Sequence, residues 1–123
     1  MTDLYAEYER AALFFEAGDP IEAARLLVPV VDAEPGNASA RLLLARAYFA
    51  SAQLNRAEEH LRWLVDRDPS DDYAHFVLGR TLQRQGRGDA ALTHLRIAVA
   101  LNARPEYAQA LDQAVRPDAR SDR

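Results

Sequence analysis

The chain has 123 residues, 49% of them hydrophobic, and a formal net charge of −4, which suits one domain with an apolar core and argues against nucleic-acid binding. It contains no cysteine, so disulfides, thiol catalysis and cysteine-ligated zinc are excluded. Because its first residues lack the basic and apolar segments of a signal peptide and its apolar runs are too short to span a bilayer, we expect a cytoplasmic protein that does not enter membranes.

An apolar pattern repeats along the chain with a period of 34 residues. Alanine recurs at Ala23, Ala57 and Ala91. A leucine follows each alanine after four residues, at Leu27, Leu61 and Leu95, and a valine follows after four more, at Val31, Val65 and Val99. A proline follows twice on the same period, at Pro35 and Pro69. This shared spacing indicates one supersecondary unit repeated three times.

Turn residues separate the predicted helices. Gly18, Asp19 and Pro20 read as a helix stop, a cap and a first-turn proline. Asn55 and Asp89 share a predicted capping position in the other two repeats. The apolar period and the turn chemistry together predict helices over residues 3–17, 20–33, 38–51, 55–67, 71–85, 88–101 and 105–115.

This pattern resembles the tetratricopeptide repeat, a helix–turn–helix unit with the signature W-x2-L-G-x2-Y…A-x3-F…P. The middle repeat matches it with Arg41, Leu44, Ala45, Tyr48, Ala57, Leu61 and Pro69. The third matches with His75, Leu78, Gly79, Leu82, Ala91 and Leu95, and the first with Glu7, Arg10, Ala11, Phe14, Ala23, Leu27 and Pro35. None of the three keeps the tryptophan.

The resemblance implies an all-α, right-handed α-solenoid of three helix–turn–helix repeats followed by a capping helix. The repeats span about 4–37, 38–71 and 72–105 and the cap about 105–115, so residues 1–115 form the repeat domain. Residues 116–123 contain no large apolar side chain and are predicted to be disordered.

Two residues depart from the regular pattern. Pro29 lies inside the second predicted helix, where its missing N–H and its ring cost about 3 kcal/mol and force a kink. It indicates either an irregular edge repeat or a redirected binding surface. Trp63 holds the equivalent position of the next repeat, where it packs over a neighbouring helix or marks a second contact surface.

Charge is distributed unevenly along the chain. Residues 1–35 carry a net charge of −6, residues 36–71 are balanced, and residues 72–123 carry +2. Ordinary surface variation explains such a gradient. The alternatives are head-to-tail association and steering of a charged ligand.

In tetratricopeptide repeats the first helix of each repeat lines a concave surface, mainly with its second, fifth, ninth and twelfth residues. The resemblance implies a lining of Tyr5, Tyr8, Ala12 and Phe15, then Ser39, Leu42, Arg46 and Phe49, then Tyr73, Phe76, Arg80 and Gln83. Six of the ten aromatic residues fall in this set, and so large an apolar surface is normally covered. We therefore predict a peptide-binding groove. Self-association through the same surface and coverage by the chain's own termini are the alternatives.

The predicted partner is a protein or peptide segment with apolar anchors. Arg46 and Arg80 share a repeat position and are expected to stack on the segment or pair with an acidic group or C-terminus. Co-chaperones of this family bind heat-shock chaperone C-termini through a carboxylate clamp, whose positions here hold Tyr8, Ala12, Leu43, Tyr73 and Val77. The clamp is therefore absent. The surface is more similar to that of small bacterial chaperones that hold an extended segment of a secreted protein.

No set of side chains suggests catalysis. His60 and His94 share a repeat position and are predicted to lie a helix layer apart, too far to bind one metal. His75 replaces the family's tryptophan, and a packed ring is favoured over a catalytic base. We predict that the protein is not an enzyme and has no catalytic residue, cofactor or metal site.

Overall fold

The computed structural model describes residues 3–116, which form seven α-helices and no strand. The helices are α1 (Leu4–Glu16), α2 (Pro20–Ala33), α3 (Ala38–Ala50), α4 (Leu54–Arg67), α5 (Asp72–Arg84), α6 (Gly88–Leu101) and α7 (Pro105–Val115). Each begins and ends within one residue of its predicted bounds, and the predicted fold class, an all-α helical repeat, is confirmed. The predicted disordered tail lies outside the described residues, except for Arg116, which is the C-cap of α7.

Within residues 3–116, four helices begin at a side-chain cap, and the predicted cap Asp19 is one of them. The capping residues are Asp3, Asp19, Asn37 and Asp71, whose side chains accept backbone N–H groups at 3.0 to 3.2 Å. These contacts satisfy donors that the first turn of a helix leaves unpaired. Pro20 is the first residue of α2, and Gly18 before the cap has a φ of +85°.

The prediction that Asn55 and Asp89 are caps is wrong. Each is the second residue of its helix, because α4 begins at Leu54 and α6 at Gly88. Gln53 and Arg87 stand one residue before these helices, and their carbonyl oxygens accept the first helical N–H groups at 3.0 Å. Asp89 instead places its negative charge in the first turn of α6, where the helix dipole favours it.

The turns inside the three repeats share one left-handed residue. It is Gly18 in the first repeat and Gly86 in the third, with φ of +85° and +78°. The middle repeat holds Ala52 there, with φ of +62°. A side chain in this conformation costs roughly 1–2 kcal/mol, so the middle turn is held by the helices on either side of it rather than by its own preference.

The chain forms two compact units, Met1–Leu64 and Val65–Arg123. In the first unit α1 packs on α2, and α2 packs on α3. The repeated small and large positions fill its core, with Ala23, Leu27, Ala57 and Leu61 all 0% exposed. The 34-residue apolar pattern is therefore a core pattern in this unit.

In the second unit α5 packs on α6, and α6 packs on α7. Gly79 lies where α5 meets α6, because a Cβ built on it would be 2.7 Å from the Cγ of Leu95. Tyr107 of α7 is 0% exposed and donates a 2.7 Å hydrogen bond from its hydroxyl to Asp72 of α5. Close packing of α5 on α6 thus requires a residue without a side chain at position 79, and Tyr107 joins α7 to α5.

Helix α2 continues through Pro29 to Ala33. A proline at this position leaves the carbonyl of Arg25 without its helical N–H donor. Both Pro29 and Arg25 are exposed, so water can hydrogen bond to that carbonyl. The exposed side of the helix is where an interior proline is tolerated.

Candidate functional site

The predicted peptide-binding residues of the first unit lie on α1 and α3, and none of them is buried. They are Tyr5, Tyr8 and Phe15 on α1, and Leu42, Arg46 and Phe49 on α3. The guanidinium carbon of Arg46 lies 4.7 Å from the centre of the Phe15 ring. The sequence placed arginine among aromatic residues, and the fold brings this pair into a cation–π contact.

A cavity of about 420 Å³ opens beside the start of α1. Its walls are Leu4, Tyr5, Tyr8, Glu34, Asn37 and Ser39. Tyr5 is 70% exposed, and a hydrogen bond with Glu9 raises the pKa of its phenol, so this ring is neutral. The cavity offers aromatic rings beside a carboxylate and an amide, a combination that suits an apolar side chain and the backbone N–H groups around it.

Three residues of this cavity, Leu4, Glu34 and Asn37, are absent from the predicted set. Glu34 and Asn37 come from the turn between α2 and α3. The predicted lining was taken only from the first helix of each repeat, so it did not include them. The sequence contained one signal for these two residues. Pro35 and Gly36 interrupt the helices between the first and second repeats, and the resulting turn carries polar side chains next to the start of a first helix.

In the second unit the predicted residues Tyr73, Phe76, Arg80 and Gln83 lie on α5, and none of them is buried. Tyr73 and Phe76 have ring centres 6.1 Å apart, and Arg80 lies 5.9 Å from the Phe76 ring. Phe76 also stacks on Tyr107 of α7 at 4.7 Å. The chain's own capping helix therefore occupies one side of Phe76.

Arg80 and Gln83 also line a cavity of about 270 Å³, together with Arg84 and Gln113. Guanidinium and amide N–H groups are hydrogen-bond donors that suit a carboxylate. Arg84 and Gln113 were not predicted. Gln113 belongs to the capping helix α7, which lies outside the repeat positions used for the prediction. Arg46 belongs to the first unit and Arg80 to the second, so their joint action on one ligand stays a prediction.

A polar contact recurs in the second and third repeats with the same spacing. Arg41 donates from Nε to the carbonyl oxygen of Pro35 at 2.7 Å, and its Nη1 lies 3.3 Å from Nδ1 of His60. His75 Nε2 lies 2.8 Å from the carbonyl oxygen of Pro69, and its Nδ1 lies 3.1 Å from Nδ1 of His94. Both contacts join residues 19 apart and link the two helices of a repeat.

The contacts of His75 fix the position of one of its hydrogens. A carbonyl only accepts, so His75 carries a hydrogen on Nε2, and its Nδ1 shares one hydrogen with Nδ1 of His94. His75 is 5% exposed, which supports a packed ring rather than a catalytic base. Sequence reasoning missed its contact with His94, although the 19-residue spacing was present in both repeats.

His60 is neutral in its contact with Arg41, because guanidinium only donates. Burial lowers the pKa of this imidazole, and the charge of Arg41 lowers it further. The Tyr48 ring stacks on it with centres 6.0 Å apart. Protonation would place two cations side by side between α3 and α4.

We expect the free energy of unfolding to fall as the pH drops below about 7. The unfolded chain takes up the His60 proton near pH 6.5, whereas the folded chain does so only at lower pH. His60→Gln keeps an oxygen acceptor for Arg41 and cannot titrate. Urea unfolding at pH 7.5 and 5.5 should show a smaller loss of stability in this variant; an equal loss would exclude His60 as the source.

Among residues 3–116, no three histidine, aspartate or glutamate side chains are arranged to hold a metal ion. Within the same part of the chain, no helix is both long and apolar enough to cross a bilayer.

A protein-family model described as tetratricopeptide repeat matches residues 14–75, half of the chain. The chain belongs to the tetratricopeptide repeat family. The predicted family membership is therefore confirmed. As a member of this family, the chain is a protein-interaction module. A comparison with curated proteins gives no significant match.

Solved tetratricopeptide repeat structures share the fold. MamA 41-end from Desulfovibrio magneticus RS-1 is 22% identical with a TM-score of 0.89, over 94% of this chain and 67% of that one. The first such domain of Spaghetti (RPAP3), bound to the HSP90 peptide SRMEEVD, is 20% identical with a TM-score of 0.87, over 94% and 93%. The second domain of human RPAP3, in complex with the HSP70 peptide SGPTIEEVD, is 18% identical with a TM-score of 0.83, over 93% and 99%.

The departures of this tetratricopeptide repeat chain from the family signature now have a structural account. Arg41 and His75 stand where the signature has tryptophan. Each ties the preceding proline carbonyl to a histidine of the second helix. Trp63 lies in the same cluster, since the Arg41 guanidinium carbon is 4.2 Å from its ring centre. This contact supports the packing interpretation of Trp63.

Proposed function

We propose that this protein is a cytoplasmic adaptor or holding chaperone that binds a peptide segment on the first helices of its repeats and catalyses no reaction. The exposed aromatic surface around Tyr5 and Tyr8 supports this function most directly. Tyr5 leaves 70% of its surface in solvent beside a cavity of about 420 Å³. Aromatic residues that remain exposed beside a cavity are typical anchors of a binding surface.

The chemistry of the two units suggests what the segment contains. In the first unit, an apolar or aromatic side chain would enter the cavity beside Tyr5 and Tyr8. In the second, the donors of Arg80, Gln83 and Gln113 would pair with an acidic side chain or a C-terminal carboxylate. The segment would therefore combine an apolar anchor with an acidic group.

This recognition would differ from that of chaperone-tail clamps. RPAP3 domains are solved with HSP90 and HSP70 peptides. In this chain the clamp positions include Leu43 and Val77, which are both 6% exposed and apolar. Neither can donate to a carboxylate, so we expect the apolar anchor to supply more of the affinity than the acidic group.

The test is the selection of binding peptides from a displayed random library, followed by titration against variants. Tyr5→Ala with Tyr8→Ala should weaken the selected peptides at least tenfold, about 1.4 kcal/mol or more. Leu101→Ala, an exposed apolar residue of α6, is the matched control and should leave affinity unchanged. Peptides that bind the double variant as well as the wild type would refute the proposed surface.

The variants are placed on α1 for a structural reason. Phe76 of α5 supports the capping helix through Tyr107, so replacing it would disturb the fold as well as the surface. Tyr5 and Tyr8 are not buried, and their removal should leave the thermal unfolding temperature nearly unchanged.

A further inference from the structure

The cavity beside the start of α1 carries negative charge as well as aromatic rings. Among its walls, Tyr5 and Tyr8 supply the rings and Glu34 supplies a carboxylate. Glu34 is exposed, and its carboxylate accepts a hydrogen bond from the neutral amide of Asn37 at 3.0 Å. A second carboxylate, that of Glu9, accepts a hydrogen bond from the Tyr5 hydroxyl. None of the described residues that line the cavity is basic.

The arginines nearest in sequence are engaged elsewhere. Arg10 and Arg25 each form an ion pair with the glutamate three residues before it. Arg41, the next arginine along the chain, has its guanidinium carbon 4.2 Å from the ring centre of Trp63 on α4. The net charge of −6 in residues 1–35 therefore includes the carboxylates at the cavity, and it makes the cavity attractive to a cation.

This combination of groups suits a long side chain that ends in a positive charge. The faces of aromatic rings attract cations. Lysine and arginine also have apolar stems that pack along rings while the charged end stays near polar groups. A purely apolar side chain would gain nothing from the Glu34 carboxylate, and an acidic one would be repelled by it.

We propose that this cavity binds a lysine or arginine side chain of the peptide segment, with the apolar stem against Tyr5 and Tyr8 and the charged end at Glu34. The inference rests on the proposed peptide binding and specifies the apolar anchor as the stem of a basic side chain. A segment that also satisfies the donors of the second unit then carries both a basic and an acidic residue.

The test uses the peptides selected from the displayed library, resynthesised with each basic residue in turn replaced by a neutral side chain of similar length. Norleucine replaces lysine, and citrulline replaces arginine. At the residue that occupies the cavity, this replacement should weaken binding to the wild type about tenfold. The other replacements should have smaller effects.

Glu34→Gln removes the charge of the cavity and keeps an oxygen that can accept from Asn37. It should weaken the basic peptide about fivefold and the neutral peptide less than about twofold, because the lost interaction needs both charges. Glu16→Gln is the matched control. It removes the same charge from an exposed residue of α1 that does not line the cavity, and it should leave both affinities unchanged.

The outcomes separate this inference from the proposed function. If Tyr5→Ala with Tyr8→Ala weakens the selected peptides but neutral replacement of every basic residue does not, the basic anchor is overturned and the binding surface is retained. Equal effects of Glu34→Gln and Glu16→Gln on the basic peptide also overturn it, because they would indicate general attraction by the acidic unit. Peptides that bind the double tyrosine variant as well as the wild type would refute both.

Discussion

Tyr107→Ala is expected to lower the free energy of unfolding by about 4 kcal/mol and to loosen α7. Tyr107 is 0% exposed, stacks on Phe76 at 4.7 Å and donates to Asp72 at 2.7 Å. Burial raises the pKa of its phenol, and the hydrogen bond from Tyr107 lowers the pKa of Asp72. The neutral donor and the charged acceptor therefore persist together at neutral pH. Removing the ring leaves both a void and an unsupported Phe76.

Tyr107→Phe is the control that separates the ring from the hydroxyl. It keeps the stacking and removes one hydrogen bond, which should cost about 1 kcal/mol, because Asp72 retains the amide of Asn102 at 3.3 Å. Urea unfolding measures both values, and proteolysis within residues 105–115 reports on α7. If Tyr107→Ala destabilises the protein no more than Tyr107→Phe does, the ring is not what holds the cap.

Gly79→Val should lower the free energy of unfolding by about 3 kcal/mol through overpacking. A Cβ at this position would be 2.7 Å from both Cγ and Cδ2 of Leu95, and 3.3 Å from the carbonyl oxygen of Ala91. Leu95 is 0% exposed and Ala91 is 0% exposed, so neither can move away into solvent. The two helices must separate to admit the larger side chain.

Gly88→Val is the matched control in the same unit. Nothing lies within 4 Å of a Cβ at Gly88, and Gly88 is the exposed first residue of α6. The control should change stability by less than about 0.5 kcal/mol. Thermal and urea unfolding of the two variants should be measured side by side. A larger loss of stability in Gly79→Val would show that crowding against Leu95, rather than the valine itself, is responsible, whereas equal losses would contradict this.

The peptide-binding prediction was limited by what a repeat pattern describes. It placed Arg46 and Phe15 on neighbouring first helices, and the structure brings them to 4.7 Å. It could not foresee that α7 would stack Tyr107 on Phe76, because the cap lies outside the repeated unit. It also missed Glu34 and Asn37, which reach the cavity from a turn rather than from a first helix.

The sequence by itself determined the seven helices and their repeat. Caps such as Asp19 and Asp71 act within one turn, and the 34-residue apolar period records which side of each helix is buried. The caps and the apolar period are both visible in the order of the residues along the chain, so they can be recognised without knowing which helices pack together.

Only the tertiary structure decided the environment of equivalent residues. Leu13 and Ala47 share a repeat position, yet one is 70% exposed and the other 0%. His75 meets His94, while Arg41 meets His60. Exposure and partner depend on which helix packs against a given face, and that neighbour is not encoded at the position itself.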